Sequence, residues 1–303
     1  MPSRRDFLHR SLALSGLAMM PPLANAATPS PATRIIPADG HRLAVIGLGT
    51  WQTFDVGGDA TARDNLGRLL SRFVELGGEV IDSSPMYGSS ESVVGDLAGA
   101  RRLRERLFLA TKVWTSGKAA GIAQMEASLR RLKSPRIELM QIHNLQDWKT
   151  HLPVLREWKA AGRIRYLGIT HYSSSAYADV EDVLRREPLD FLQINYSLAE
   201  QESARRLLPL AAERGVAVIV NRPFAEGALF SAVKGLALPA EAAALDCRTW
   251  AQLFLRWILA HPAVTCAIPA SSRIEHLEDN MAAGIGALPA FADQKALARM
   301  AGF

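Results

Sequence analysis

Eight short, β-branched apolar runs punctuate the chain: Leu43–Ile46, Glu79–Ile81, Leu107–Lys112, Ile137–Ile142, Ile164–Ile169, Phe191–Ile194, Val216–Val220 and Val264–Ile268. They start about thirty residues apart, with a wider gap before the last, and longer amphipathic runs separate them. Strand, loop, helix and loop at that spacing is the repeating βα unit of a parallel sheet. Runs that are apolar throughout suit strands covered on both faces. Eight such units in 303 residues predict an α/β fold, a parallel eight-stranded (β/α)8 TIM barrel, rather than an open doubly wound sheet. With 49% hydrophobic residues, the chain has enough apolar mass for one large core, which excludes a disordered or collagen-like chain.

The intervening runs read as helices. Leu66, Leu69, Leu70 and Phe73 recur at helical spacing, and Gly77-Gly78 supplies a stop. Ser272-Arg273-Ile274-Glu275 has the form of a capping box. Ile274, Leu277, Met281 and Ile285 then follow on one face. Before the first barrel strand, Arg34–Ile36 and His41–Leu43 flank Ala38-Asp39-Gly40, a hairpin pattern expected to plug the barrel's bottom. The long segment from Asn221 to Asp246 is expected to shape substrate access.

The N-terminus carries Arg4-Arg5, an apolar stretch from Leu12 to Met20, and Ala24-Asn25-Ala26. Basic head, short apolar middle and small-residue exit are the parts of a secretory signal, too short for a good membrane span. Ser3-Arg4-Arg5-Asp6-Phe7-Leu8 resembles a twin-arginine signal. The expectation is a signal peptide over 1–26, a single barrel domain over 27–303, and export to the periplasm by the twin-arginine machinery, which carries folded proteins. The 35 Lys and Arg against 30 Asp and Glu are scattered, unlike the gathered basic face of a nucleic-acid binder. Cys247 and Cys266 form no CxxC pair, so neither a disulfide scaffold nor a zinc site is expected. Whether the two pair depends on their separation in space.

A barrel's chemistry sits where its strands end. The second run ends in Ile81-Asp82-Ser83-Ser84-Pro85-Met86-Tyr87-Gly88, the third in Ala110-Thr111-Lys112-Val113-Trp114, and the fourth in Gln141-Ile142-His143-Asn144. An acid, a phenol, an amine and an imidazole thus meet on one rim. Singly, each has a plain structural explanation; together, on three successive strand ends, they point to catalysis. The run IDSSPMYGSSESVVG resembles the aldo-keto reductase signature around its catalytic Asp and Tyr, and ATKVW and QIHN resemble the Lys and His segments of that family. The likeness extends from Gly47 to Asn280.

That resemblance implies a catalytic tetrad of Asp82, Tyr87, Lys112 and His143 in an enzyme that reduces aldehydes or ketones with NADPH, NADH being the second candidate. Carbonyl reduction needs a hydride, which no side chain supplies, and a proton donor within hydrogen-bond reach of the carbonyl oxygen. Tyr87 would be that donor. Lys112 would lower its pKa from the ordinary value near ~10, Asp82 would anchor Lys112, and His143 would hydrogen-bond the oxygen.

For the cofactor, GLGTWQ lacks the spacing of a dinucleotide-binding strand–helix turn. The resemblance instead places Gly49 and Thr50 near the nicotinamide half, with Trp51 and Trp114 walling the substrate pocket. Thr170 and Gln193 would hold the carboxamide. His171 stands where many relatives have Asn. After the seventh strand, Asn221 replaces a Tyr that stacks on the nicotinamide in many relatives, and Arg222 is expected to meet the pyrophosphate. Ser271, Ser272 and Arg273 at a helix start suit the adenosine 2′-phosphate, with Asn280 near the adenine. Ala270 and His276 depart from the Lys and Arg common at those positions. A small carbonyl substrate, a monomer and no metal complete the expectation. Two rivals use the same barrel. One is a non-catalytic NADP(H)- or ligand-binding sensor; the other is an isomerase or epimerase with Lys112 and His143 as proton-transfer groups. The chain carries neither G-x-S-x-G nor H-E-x-x-H, which argues against a hydrolase.

Overall fold

The computed structural model describes residues 30–303. The expected signal over 1–26 and its cleavage site lie outside the described residues. The described chain opens on an antiparallel hairpin, β1 (Thr33–Ile35) and β2 (Arg42–Ala44). Eight parallel strands follow: β3 (Leu48–Gly49), β4 (Val80–Asp82), β5 (Phe108–Val113), β6 (Ile137–His143), β7 (Ile164–His171), β8 (Phe191–Asn195), β9 (Ala217–Asn221) and β10 (Val264–Ala267). Each pairs with its sequence neighbour. Bridges from Ile46 to Ala267 and from Gly49 to Ala270 bring the last strand back to the first. The Gly47 N–H donates to the Ala267 carbonyl (2.9 Å), and the Ala267 N–H donates to Val45 (2.9 Å). The result is the expected (β/α)8 barrel.

Helices α1 (Ala60–Glu75), α2 (Ser90–Ala100), α3 (Lys118–Arg131), α4 (Trp148–Ala160), α5 (Tyr177–Arg186), α6 (Ser203–Glu213), α7 (Ala228–Ala232), α8 (Trp250–Leu259), α9 (Ile274–Ala282) and α10 (Gln294–Met300) make up the rest. In α1, Leu66, Leu69, Leu70 and Phe73 are buried, and Gly77 takes φ +82° just past the helix end. That left-handed turn is cheap for glycine.

Alternation along the strands sorts the barrel interior by height. Side chains two residues apart share a face. Phe108, Leu139, Tyr166, Phe191 and Ala217 therefore form one apolar layer at the bottom, and Ile36 and Leu43 of the hairpin pack into the same buried cluster. The ring centroids of Tyr166 and Phe191 lie 5.3 Å apart. Asp39, in the hairpin turn, accepts from the Tyr166 hydroxyl (2.7 Å) and pairs with Arg165 (2.7 Å). The hairpin is thus the expected plug. Two residues further along each strand come Asp82, Ala110, Gln141, Gly168 and Gln193; two further still come Lys112, His143, Thr170 and Asn195. The interior changes from hydrocarbon at the bottom to hydrogen-bonding groups at the top.

Two expectations need correction. The run Leu43–Ile46 does not form the first barrel strand. Its first half belongs to β2, the Ala44 N–H is taken by the Glu79 carboxylate (2.8 Å), and the barrel strand proper is Leu48–Gly49. Nor does the capping box form. The residue preceding α9 is Arg273, and Ser271 takes the local role instead, its hydroxyl accepting from the Arg273 N–H (3.2 Å) and donating to the Arg273 carbonyl (2.9 Å). The long segment after β9 carries structure of its own. It folds into α7 and two 3₁₀ turns, Ala225–Gly227 and Ala240–Leu245.

Cys247 and Cys266 are both free and buried, and they belong to different packing layers, Cys266 inside the barrel and Cys247 outside it. Arg256 is also buried, 1% exposed. It donates to the carbonyls of Ala283 (3.0 Å), Ile285 (3.1 Å) and Ala287 (2.6 Å), tying α8 to the turn after α9.

Candidate active site

The rim is built from the ends of β4, β5 and β6. Lys112 is 1% exposed, and its Nζ donates to Asp82 Oδ2 (2.7 Å) and to the Ser83 carbonyl (2.7 Å). The same Nζ lies 5.1 Å from the centroid of the Tyr87 ring. The His143 and Tyr87 rings meet edge to face at 6.1 Å, and Trp114 stands 6.3 Å from His143 on the other side. The four tetrad side chains and Trp114 therefore form one cluster. The sequence places them there because Asp82, Lys112 and His143 all sit at or near a strand's C-terminal end.

Burial sets the protonation states. For Lys112 it favours the neutral form, but the charge and hydrogen bond of Asp82, with Tyr87 adding to them, outweigh it and raise its pKa, so the amine stays cationic. For Tyr87 burial pushes the pKa up, against the pull of Lys112, and the net direction is upward. This reverses the expected lowering: in the free protein the phenol keeps its proton. Burial, with Lys112 and His171 adding to it, pushes His143 down to about 3, so the imidazole is neutral. Its Nδ1 lies 3.3 Å from the Ser84 hydroxyl, which already accepts from the Met86 N–H (3.4 Å). Where Ser84 donates to Nδ1, the hydrogen of His143 is on Nε2; where Nδ1 donates, it is not.

Sequence reading missed Gln141. It is fully buried in β6, and its Nε2 donates to Gln193 Oε1 (3.0 Å) and reaches Asp82 Oδ1 at 3.4 Å. Gln141 thus links the Lys112–Asp82 pair to the middle of β8. The signal was the period-two alternation that puts Gln141 below His143 on the inner face.

The expected cofactor residues divide into three groups. Gln193, in the middle of β8, and Thr170, near the end of β7, are buried on the inner face. Thr50 is fully buried and committed to the wall: its N–H and hydroxyl both reach the Asp82 carbonyl (3.0 Å each), and the hydroxyl also meets Ser83. Gly49 beside it has no room for a side chain, since a Cβ would stand 3.0 Å from the Ile268 carbonyl. His171 turns aside, stacks on Tyr172 at 5.8 Å, and accepts from the Ser173 N–H (3.0 Å). It borders a cavity of about 410 Å³ with Asn144, Trp148, Lys149 and Asp179. Trp51 is an exposed rim residue.

On the far side of the rim, Ser271 is buried, Ser272 and Arg273 are exposed, and Asn280 is buried in α9. Of the first-turn N–H groups, that of Ile274 has no backbone acceptor before the helix, and that of Glu275 is held by its own carboxylate. Arg222 has φ +50° and is not free: its Nη2 lies 3.6 Å from Glu200, and its buried Nε lies 3.4 Å from Glu226 without forming a hydrogen bond. A guanidinium with no hydrogen bond at its Nε, the start of α9 with Arg273 beside it, and a polar inner rim fit a phosphate-bearing nucleotide. Among the described residues, no three His, Cys, Asp or Glu side chains gather as metal ligands.

The closed barrel thus carries a buried lysine–aspartate pair under a tyrosine at its C-terminal rim. The model of the aldo/keto reductase family matches residues 45–290, and the chain belongs to that family. A methylglyoxal reductase of Escherichia coli K12 is 31% identical over 251 residues, covering 79% of this chain and 85% of that one. Two solved aldo-keto reductases of Klebsiella pneumoniae are similar in structure. One, in complex with NADP and acetate, is 29% identical with a TM-score of 0.72, covering 86% of this chain and 92% of that one. The other, in complex with NADPH, is 28% identical with a TM-score of 0.72, covering 90% and 95%.

Proposed function

We propose that the protein reduces small aldehydes or ketones with NADPH, and that Asp82, Tyr87, Lys112 and His143 perform the proton half of the reaction. The observation that carries this reading is the fully buried Lys112, held by Asp82 at 2.7 Å beneath the Tyr87 ring. NADPH, when bound, supplies the hydride. Tyr87 gives its proton to the carbonyl oxygen, and Lys112 stabilises the phenolate left behind. Asp82 fixes Lys112 and balances its charge. His143, neutral and protonated on Nε2, donates a second hydrogen bond to the same oxygen and orients it.

Thr170 and Gln193 hold the carboxamide, Arg222 meets the pyrophosphate, and the start of α9 with Ser271, Ser272 and Arg273 takes the 2′-phosphate, Asn280 lying near the adenine. Gly49 permits close approach at the nicotinamide end, and Trp51 and Trp114 wall the substrate. The NADP(H)-bound Klebsiella relatives and the methylglyoxal reductase support this cofactor and substrate class. Residues 1–26 direct a folded monomeric domain, 27–303, through the twin-arginine route to the periplasm. Replacing Arg4 and Arg5 by Lys strands that domain in the cytoplasm in a fractionation assay; unchanged periplasmic recovery rejects this route.

The test is NADPH oxidation by the 27–303 domain over a panel of aldehydes and diketones, beside Tyr87→Phe. The variant is expected to bind NADPH as wild type does and to lose about 100-fold or more in kcat. Binding with no turnover on any substrate supports a sensor instead, and absence of binding removes the cofactor reading.

A further inference from the structure

Nine buried side-chain polar atoms among the described residues lack a hydrogen-bond partner, and four of them lie together: Asn195 Oδ1, Glu200 Oε2, Asn221 Oδ1 and Arg222 Nε. Asn195 and Asn221 are register partners at the ends of β8 and β9. Asn195 Nδ2 donates to Glu200 Oε1 (3.3 Å), and Glu200 in turn lies 3.6 Å from Arg222 Nη2. Asn195 is 2% exposed. Buried polar atoms are paired almost without exception, so four unpaired in one corner mark a place completed by something besides the protein. The corner is also out of charge balance. Arg222 faces Glu200 from the β8–α6 connection and Glu226 from the turn after β9. Glu202 at the start of α6 and the Tyr177 hydroxyl of α5 bear on the same carboxylate, with no second cation among the groups that act on it.

We propose that Glu200 competes with the nucleotide's diphosphate for Arg222, and so sets how tightly this corner holds the cofactor. The inference rests on the reading that Arg222 meets the diphosphate. An arriving diphosphate takes the Nε, which lies 3.4 Å from Glu226 without a hydrogen bond, and draws the guanidinium from Glu200, leaving a half-buried carboxylate beside new negative charge. Burial already holds the Glu200 pKa above the ordinary carboxylate value, against Arg222. Losing Arg222 raises it further, so binding takes up a proton at Glu200. Affinity then rises as pH falls toward the pKa of Glu200 in the free protein.

The experiment titrates the protein's fluorescence with NADPH and with NADH in wild type, Glu200→Gln, Arg222→Gln and the double variant. Glu200→Gln is expected to tighten both nucleotides about tenfold and by similar factors, since the diphosphate is common to both. In the Arg222→Gln background that gain disappears. Calorimetry with NADH, in buffers of different ionisation heat, shows proton uptake by wild type at mildly acidic pH and none by Glu200→Gln. Unchanged or weakened binding in Glu200→Gln, a gain that persists without Arg222, or no proton uptake by the unmodified protein overturns the proposal. If Arg222→Gln alone binds both nucleotides as wild type does, the diphosphate reading itself fails, whatever Glu200 does.

Discussion

Burial makes Lys112 and Asp82 depend on each other. Each is at most 3% exposed, so removing one strands a charge in the interior. Lys112→Met is expected to destabilise the protein by about 3–5 kcal/mol in urea unfolding. Adding Asp82→Leu is expected to recover most of that loss without recovering turnover, which separates the structural cost from the catalytic one. The protonation states make a second prediction. His143, pushed down to about 3, carries no proton to lose near neutrality, and Tyr87, pushed up, keeps its own. At saturating NADPH, kcat for reduction is therefore flat from about pH 5 to 8, and a pH–rate profile with a limb near the ordinary histidine value of about 6.5 contradicts the assignment. Asp82, Tyr87, Lys112 and His143 could be read in the sequence because each ends, or closely follows, a recognisable strand. Gln141 and Glu200 could not. A glutamine inside a strand and a glutamate in a connection look generic until register and partners show what they touch.

At the scale of elements, the hairpin and the α8–α9 junction are held by single polar residues. Asp39 accepts from Tyr166, His41 and Arg165, which together bring its pKa down to about 2. A depressed carboxylate stabilises the fold above its unfolded value of about 3.9, and that contribution fades as pH falls toward 2. Because Asp39 is about one-third exposed (36%), solvent screens it, and Asp39→Asn is expected to cost only about 1 kcal/mol at neutral pH, measured by thermal melting. Arg256 is the stronger case. Arg256→Ala leaves three backbone carbonyls and a cavity in the interior, an expected loss of about 3 kcal/mol or more in urea unfolding. Seven of the eight barrel strands were legible because they are uniform apolar runs. The first was not: β3 is two residues long, and the apolar run beside it is claimed by the hairpin. The start of α9 departs from the sequence pattern because Ser272 has only the spacing of a capping box, and the backbone geometry gives the local hydrogen bonds to Ser271.

For the molecule as a whole, a ligand that binds only the folded barrel must stabilise all of it. NADPH at about 100 times its dissociation constant is expected to add about 2.7 kcal/mol and raise the melting temperature by roughly 5–10 °C; no shift contradicts a cofactor site. The polarity gradient inside the barrel carries a consequence for descent. Its hydrocarbon floor, sealed by Ile36 and Leu43, and its reactive rim share strands but not side chains. Mutations that retune what the enzyme accepts fall on rim loops, and mutations that lengthen or shorten its lifetime fall on the floor. A lineage with this layout can change substrates without re-evolving its foundation, and an engineer can harden the floor first and then diversify the rim.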